Sequence, residues 1–173
     1  MEVVRIPVER IHIIIGKNGK TKEEIEKKAN VKLDINADGE VEISGEATDI
    51  FFAKDIIKAI GRGFEPKHAL KILNEGYNFF LFNLKDHFTS DNAIKRVKGR
   101  IIGEDGKVKA EIENATESYV SVFGNTVGII SKFDSMEYAK EAIQKIMDGS
   151  PHIAIFNYLA KVRKGMMSER LRG

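Results

Sequence analysis

The sequence predicts an α+β chain made of two tandem copies of one small module, followed by an extra C-terminal helix. Three observations predict it. First, a glycine pair recurs in the same apolar frame, Ile14-Ile-Gly-Lys-Asn-Gly19 and Ile101-Ile-Gly-Glu-Asp-Gly106. Second, the match continues at a constant shift of 87 positions, as from Gly16 to Gly103. Lys20 answers Lys107, Lys22 answers Lys109, Ile25 answers Ile112, Leu33 answers Val120 and Ile35 answers Val122. After a one-residue deletion, Val41 and Ile43 answer Val127 and Ile129, and Ala53-Lys54 answers Ala139-Lys140. A repeat this long with one gap is a duplicated domain rather than a solenoid unit. Third, around each glycine pair the apolar period passes from strand to helix spacing in one order: strand, helix, glycine turn, helix, strand, strand, helix.

The totals agree. A chain of 173 residues accommodates two modules of roughly 70–90 residues, each near the lower limit for an independent core. A hydrophobic share of 42% supports globular folding, and a net charge of +2 is too small to name a partner. The absence of cysteine excludes a disulfide framework and a cysteine-based zinc site. With no long apolar run and no signal-peptide pattern, the expectation is a soluble cytoplasmic protein without a membrane partner.

In chain order, 2–9 alternates apolar and polar side chains as a half-buried strand does, and Pro7 suits an edge position. Residues 10–15 read as a short buried helical turn ending at Gly16, with Asn18 placed to cap a helix over 20–29. Strands follow at 31–35 and 40–44, joined by the hairpin signal Asn36-Ala-Asp-Gly39. Ile50, Ala53, Ile57 and Ile60 have helical spacing over 47–60. Gly61-Arg-Gly63 breaks that helix, and Pro66 opens a connector helix over 67–73. Phe79, Phe80, Leu81, Phe82, Leu84 and Phe88 form the richest apolar run, read as the central strand of the second module, with an aromatic platform for bases as the alternative. Helices at 93–102 and 107–116, strands at 119–123 and 126–131 and a helix at 134–147 complete the repeat. Gly149 and Pro151 stop it, and Ile155, Leu159 and Val162 mark a last helix with no counterpart in the first module. The implied boundaries are 1–63, 64–75 (connector), 76–150 and 151–173.

Chemistry concentrates at the glycine turns. Two glycines three apart let the chain turn sharply with its N–H groups uncovered, and the following helix aims its positive end at the turn. Such a turn holds a phosphate without side chains. Gly16-Lys-Asn-Gly19 adds a cation, whereas Gly103-Glu-Asp-Gly106 sets two acids where a phosphate approaches. Asp105 as a helix cap and Glu104 as a partner for the dipole are the plain structural alternatives. Lys95, Arg96, Lys98, Arg100, Lys107 and Lys109 surround that acidic tip, either as phosphate contacts or as a solvated charged face. Enzyme readings find no support. His12, His68, His87 and His152 have no ligand spacing, and Gly19-Lys-Thr21 lacks the upstream glycine of a P-loop. No catalytic residues, metal or cofactor are expected.

The order strand–helix–GxxG–helix–strand–strand–helix resembles the eukaryotic-type (type I) K-homology, or KH, domain, βααββα with a three-stranded sheet packed on helices. The resemblance implies that each loop contacts a nucleic-acid backbone while about four single-stranded nucleotides lie in an apolar groove. It places Gly16, Lys17, Asn18, Gly19, Lys20 and Lys22 at the first loop, over a floor of Ile13, Ile14, Ile25, Leu33 and Ile35. In the second module the loop set is Arg96, Lys98, Arg100, Gly103, Glu104, Asp105, Gly106, Lys107 and Lys109, over Ile101, Ile102, Ile112, Val120 and Val122. Residues 95–114 and 138–149, the Gly61-Arg-Gly-Phe64 connector and Asn157-Tyr-Leu-Ala-Lys-Val-Arg163 are similar to the Partner-of-Nob-One (Dim-two) ribosome-assembly proteins. That likeness implies a factor holding the 3′ end of immature small-subunit ribosomal RNA. It implies partnership with the endonuclease that trims that end, the dimethylating methyltransferase and the alpha subunit of translation initiation factor two. A KH-fold protein-docking scaffold and a general messenger-RNA regulator are the alternatives.

Overall fold

The computed structural model describes Met1–Gly173, and the chain divides into two units, Met1–Phe79 and Phe80–Gly173. Alternation sets the first sheet. Strands β1 (Glu2–Arg5), β2 (Lys32–Ile35) and β3 (Glu40–Ser44) pair antiparallel in the order β1-β3-β2. Val4 lies opposite Val41 and Leu33 opposite Ile43, and all four are buried on one face. Against that face pack α1 (Ile11–Ile15), α2 (Lys20–Ala29) and α3 (Ala47–Gly61), which contribute Ile14, Ile25, Ile50, Ile57 and Ile60. A short α4 (Pro66–Ala69) and a 3-10 turn (Leu70–Leu73) stand where one connector helix is expected. Pro66 does supply its first turn.

Two details of the first unit differ from the alternation pattern. β1 stops at Arg5 rather than reaching Glu9, because Pro7 precedes a 3-10 turn at Val8–Arg10. In the hairpin, Asn36 Oδ1 accepts the N–H groups of Asp38 (3.0 Å) and Glu40 (3.1 Å). Gly39, at φ +89°, lies so close to Ile6 that a Cβ would meet its carbonyl oxygen at 2.2 Å.

The second unit repeats this plan with β4 (Tyr77–Asn83, whose first three residues precede the division), α5 (Asp91–Ile102), α6 (Lys107–Thr116), β5 (Tyr119–Phe123), β6 (Thr126–Lys132) and α7 (Phe133–Met147). The sheet order is β4-β6-β5, so the aromatic run is an edge strand, correcting its reading as the central one. Its apolarity has another cause. Phe80, Phe82 and Leu84 face the core, with Phe80 and Phe82 edge-to-face at 4.9 Å, while Phe79 on the other face meets Phe64 at 6.1 Å. The central position belongs to β6, buried from Thr126 to Ser131.

The extra helix α8 (His152–Arg172) packs on α6 and α7. Ile155 and Leu159 join the core of the second unit at 0% exposure, each worth about 1.5–3 kcal/mol of apolar burial. The landing face on α6 suits this. It carries buried Ala115, in the same core cluster as Ile155 and Leu159, where α2 carries exposed Lys28. Arg163 reaches Glu111 at 2.6 Å, and Arg170 pairs with Glu117.

Candidate nucleic-acid interface

Each glycine turn is fixed by its own sequence, and the two have one backbone. Gly16 has φ +71° and ψ −179°, and Gly103 has φ +75° and ψ 173°. The third loop residue is left-handed in both, Asn18 at φ 56° and Asp105 at φ 54°, as are the closing Gly19 and Gly106 at φ +75°. Asn and Asp tolerate that region better than other side chains. This corrects the capping role expected of Asn18 and Asp105: neither side chain hydrogen-bonds a helix N–H, and the caps of α2 and α6 are Gly19 and Gly106.

The paired glycines serve different needs. A Cβ on Gly16 would lie 2.1 Å from Thr21 Oγ1, and one on Gly103 would lie 2.4 Å from Val108 Cγ2. The first glycine therefore lets the turn press onto the helix that follows. A Cβ on Gly19 or Gly106 would meet nothing within 4 Å. That side of each turn is open at the start of a ten-residue helix, the end that carries the positive dipole.

The expected groove residues separate by burial. Ile14, Ile25, Ile101 and Ile112 are 0% exposed, and Leu33 and Val120 are 4% exposed. They have no surface for a base, which corrects their assignment as contacts: they are the core that holds loop, helix and edge strand together. Ile13 and Ile35 in the first unit, and Ile102 and Val122 in the second, are half-buried and keep an exposed flank. Ile15, the counterpart of Ile102, is half-buried too and was missed; the constant shift of the repeat points to it. Ile35 and Val122 lie on the edge strands β2 and β5, and each strand is tied to its helix in the same way. Glu26 Oε2 accepts the Leu33 N–H at 2.9 Å, and Glu113 Oε2 accepts the Val120 N–H at 2.9 Å. The repeat register contains this pair of glutamates as well.

Charge is distributed differently. Lys17, Lys20, Glu104, Asp105, Lys107 and Arg96 are exposed, while Lys22, Lys98 and Lys109 are half-buried. Lys109 Nζ pairs with Glu113 at 3.2 Å. Arg100 is a correction. Its Nη1 donates to the Ile146 carbonyl at 2.8 Å and its Nη2 to the Ser150 carbonyl, so the guanidinium ties α5 to the end of α7 instead of facing a phosphate. His152 Nε2 meets the Arg100 carbonyl at 3.0 Å. Arg10, at the end of the 3-10 turn before α1, makes the equivalent tie in the first unit, to the carbonyls of Ile60 (2.8 Å) and Phe64 (2.9 Å). Burial holds the Arg10 guanidinium below the usual arginine value, against the opposing charge of Glu9. With Arg100 and Lys109 engaged, Lys95, Arg96, Lys98 and Lys107 are the remaining cations of the set expected around the second loop. No group of three or more His, Asp or Glu side chains is arranged to hold a metal ion, and no helix is long and apolar enough to cross a membrane.

Comparison with known proteins matches residues 78–164 to the family described as eukaryotic type KH-domain (KH-domain type I), and residues 1–59 to the KH domain. A KH domain-containing protein of Methanocaldococcus jannaschii is 39% identical over 98% of this chain and 77% of its own length. A pre-rRNA-processing protein, pno1, of Aspergillus fumigatus is 34% identical over 65% of this chain, which spans only 46% of that relative. Dim2p of Pyrococcus horikoshii matches at 43% identity and a TM-score of 0.86 over 92% of this chain and 98% of its own. A chain of the a/eIF2alpha–aDim2p–rRNA complex from the same organism matches at 42% identity and a TM-score of 0.87, covering 95% of this chain and 94% of that one.

Proposed function

The chain belongs to the Partner-of-Nob-One/Dim-two family of type I KH-domain proteins, and from there we propose that it binds single-stranded RNA at the 3′ end of immature small-subunit ribosomal RNA. The observation that carries the reading is the pair of glycine turns with one backbone, each open on the side of Gly19 or Gly106 and each beside a half-buried apolar flank. Backbone N–H groups at the turn meet phosphates, and unstacked bases lie along Ile13, Ile15 and Ile35 or along Ile102 and Val122. Lys17, Lys20 and Lys22 charge the first site. Lys95, Arg96, Lys98 and Lys107 charge the second, where Glu104 and Asp105 weaken the loop tip.

The protein acts as a cytoplasmic binding factor, not an enzyme. The relative solved with a/eIF2alpha and rRNA supports the alpha subunit of initiation factor two as a partner. The names of the pre-rRNA-processing relatives support a place in ribosomal RNA maturation, and with it the 3′-end endonuclease and the dimethyltransferase as partners. The acidic tip at Glu104 and Asp105 favours a second reading, in which the second module chiefly docks a protein. The test is a titration with the 3′-terminal strand of small-subunit ribosomal RNA and a scrambled strand at two salt concentrations, using the wild type and Lys17→Glu/Asn18→Asp. Tight, salt-dependent binding that prefers the native strand and weakens in the variant is expected. Equal, weak binding of both strands would overturn the reading.

A further inference from the structure

Helix α8 carries two apolar stripes. Ile155, Leu159 and Val162 face the second unit and are buried. Around the helix from them, Ile153, Phe156, Ala160, Met167 and Leu171 fall within about 60° of one another at 100° per residue. Ile153 is 71% exposed, Met167 60% and Leu171 85%, while Phe156 is 39% exposed. From Ile153 to Leu171 the stripe runs about 27 Å at 1.5 Å per residue. A helix already anchored by one apolar face needs no second one to fold, and a contiguous exposed apolar stripe marks a place where something else sits.

The stripe is bordered by cations on both sides. Arg163 and Arg170 line one side, held toward α6 by Glu111 and Glu117. Lys164 lines the other, with Lys161 and Arg172 beyond it, all exposed. Glu169 is the only acid on the helix. We propose that this stripe docks an amphipathic α-helix of a protein partner whose apolar seam is flanked by acidic residues. Helical spacing of the anchors suits a helix laid alongside, and the charge of the borders selects its flanks. A second copy of the chain would set five cations (Lys161, Arg163, Lys164, Arg170, Arg172) against the same five. An RNA strand would satisfy those cations but leave Ile153, Met167 and Leu171 in water, with Phe156 the stripe's single ring for stacking.

The test uses the full chain and two synthetic helical peptides about 20 residues long, matched to the stripe. Both carry leucine at every third or fourth position; one has glutamate at the flanks and its twin has lysine. At about 0.1 M salt, the acidic peptide is expected to bind at least ~10-fold tighter than its twin, a ratio of about 1.4 kcal/mol. Phe156→Ser/Met167→Ser and Lys161→Glu/Lys164→Glu should each weaken it about 10-fold, with thermal unfolding unmoved in the lysine variant, whose side chains are exposed. Equal binding of the two peptides, or binding indifferent to both variants, overturns the proposal. So does a concentration-dependent dimer lost in Phe156→Ser/Met167→Ser, or adsorption to phosphatidylserine vesicles lost in that variant. RNA titration of the same variants should match wild type, which separates this site from the RNA-binding reading.

Discussion

The two glycine loops share a backbone and oppose each other in charge. The dihedrals of Gly16, Asn18 and Gly19 recur in Gly103, Asp105 and Gly106 within about 10°, although the two residues between the glycines are Lys-Asn in one and Glu-Asp in the other. The shape therefore comes from what lies beneath the tip: a glycine pressed on Thr21 or Val108, and buried Ile14–Ile25 or Ile101–Ile112 pairs. The exposed tip is free to differ in charge. The units also charge their sites from different elements. The first has a five-residue α1 and relies on Lys17, Lys20 and Lys22, whereas the second has a twelve-residue α5 that supplies Lys95, Arg96 and Lys98.

The sharpest way to break the comparison is to attack what the loops share. Gly103→Ala combines a left-handed backbone with a Cβ 2.4 Å from Val108 Cγ2, and Gly16→Ala places a Cβ 2.1 Å from Thr21 Oγ1. Each should cost about 3 kcal/mol in denaturant unfolding of its own unit. Gly19→Ala and Gly106→Ala meet no atom within 4 Å and should cost only about 1 kcal/mol. Equal costs within a pair would mean that the first glycine's close approach is not what shapes the turn.

Next comes the charge that the loops do not share. Glu104→Lys/Asp105→Asn gives the second loop the sequence of the first and changes its charge by three. It should tighten RNA binding roughly 10-fold or more at low salt and steepen the salt dependence. Asparagine also suits φ 54° at position 105, so unfolding should not change by more than about 0.5 kcal/mol. Unchanged affinity would mean that the second groove does not take a phosphate at its tip.

A smaller effect tests the ties at the helix ends. Arg100→Met removes two charged hydrogen bonds to the carbonyls of Ile146 and Ser150 and should destabilise the second unit by about 2 kcal/mol. Arg10→Met should do the same to the first. Arg96→Ala, at an exposed position, should leave stability alone and lower RNA affinity. Loss of RNA affinity in Arg100→Met without loss of stability would return Arg100 to the binding surface.

Much of this was legible in the sequence because the chain states it twice. The repeat fixed α2, α6, β3 and β5 at their observed bounds, and the helical spacing of Ile155, Leu159 and Val162 found α8. Burial was less legible. Period two and period 3.6 name the inward face, but they do not say that Ile25 and Leu33 sit beneath the groove floor while Ile13 and Ile35 reach it; that depends on the depth at which helix and edge strand meet. Arg100 was misread for a related reason. A basic residue three before a glycine loop looks like a phosphate contact until the end of α7 supplies carbonyls for it. Its equivalent, Arg10, stands one turn earlier, so no alignment of the two modules pairs them. The central strand was misplaced because aromatic richness in β4 reflects packing on two faces, not neighbours on two edges.

The smallest effect separates two acids at one position of the repeat. Asp55 on α3 answers Glu141 on α7, yet Asp55 is half-buried and Glu141 is exposed, accepting the Tyr158 hydroxyl at 2.8 Å. Burial pushes the Asp55 carboxyl above its ordinary value of 3.8, with Lys58 and Lys54 pulling the other way. A raised carboxyl value means that the folded state holds the proton more tightly than the unfolded chain. As pH rises through the folded value, Asp55 therefore takes stability away, and at neutral pH the whole penalty is present. Asp55→Asn should thus stabilise the first unit near pH 7, by less than Arg10→Met destabilises it. The gain should shrink as pH falls through the raised value and vanish below about 3.8, where both states are protonated. Glu141→Gln should not stabilise the second unit near pH 7, because its exposed carboxylate accepts the Tyr158 hydroxyl and pairs with Lys145. A gain at position 141 equal to that at position 55 would mean that helix position, rather than burial, sets the cost.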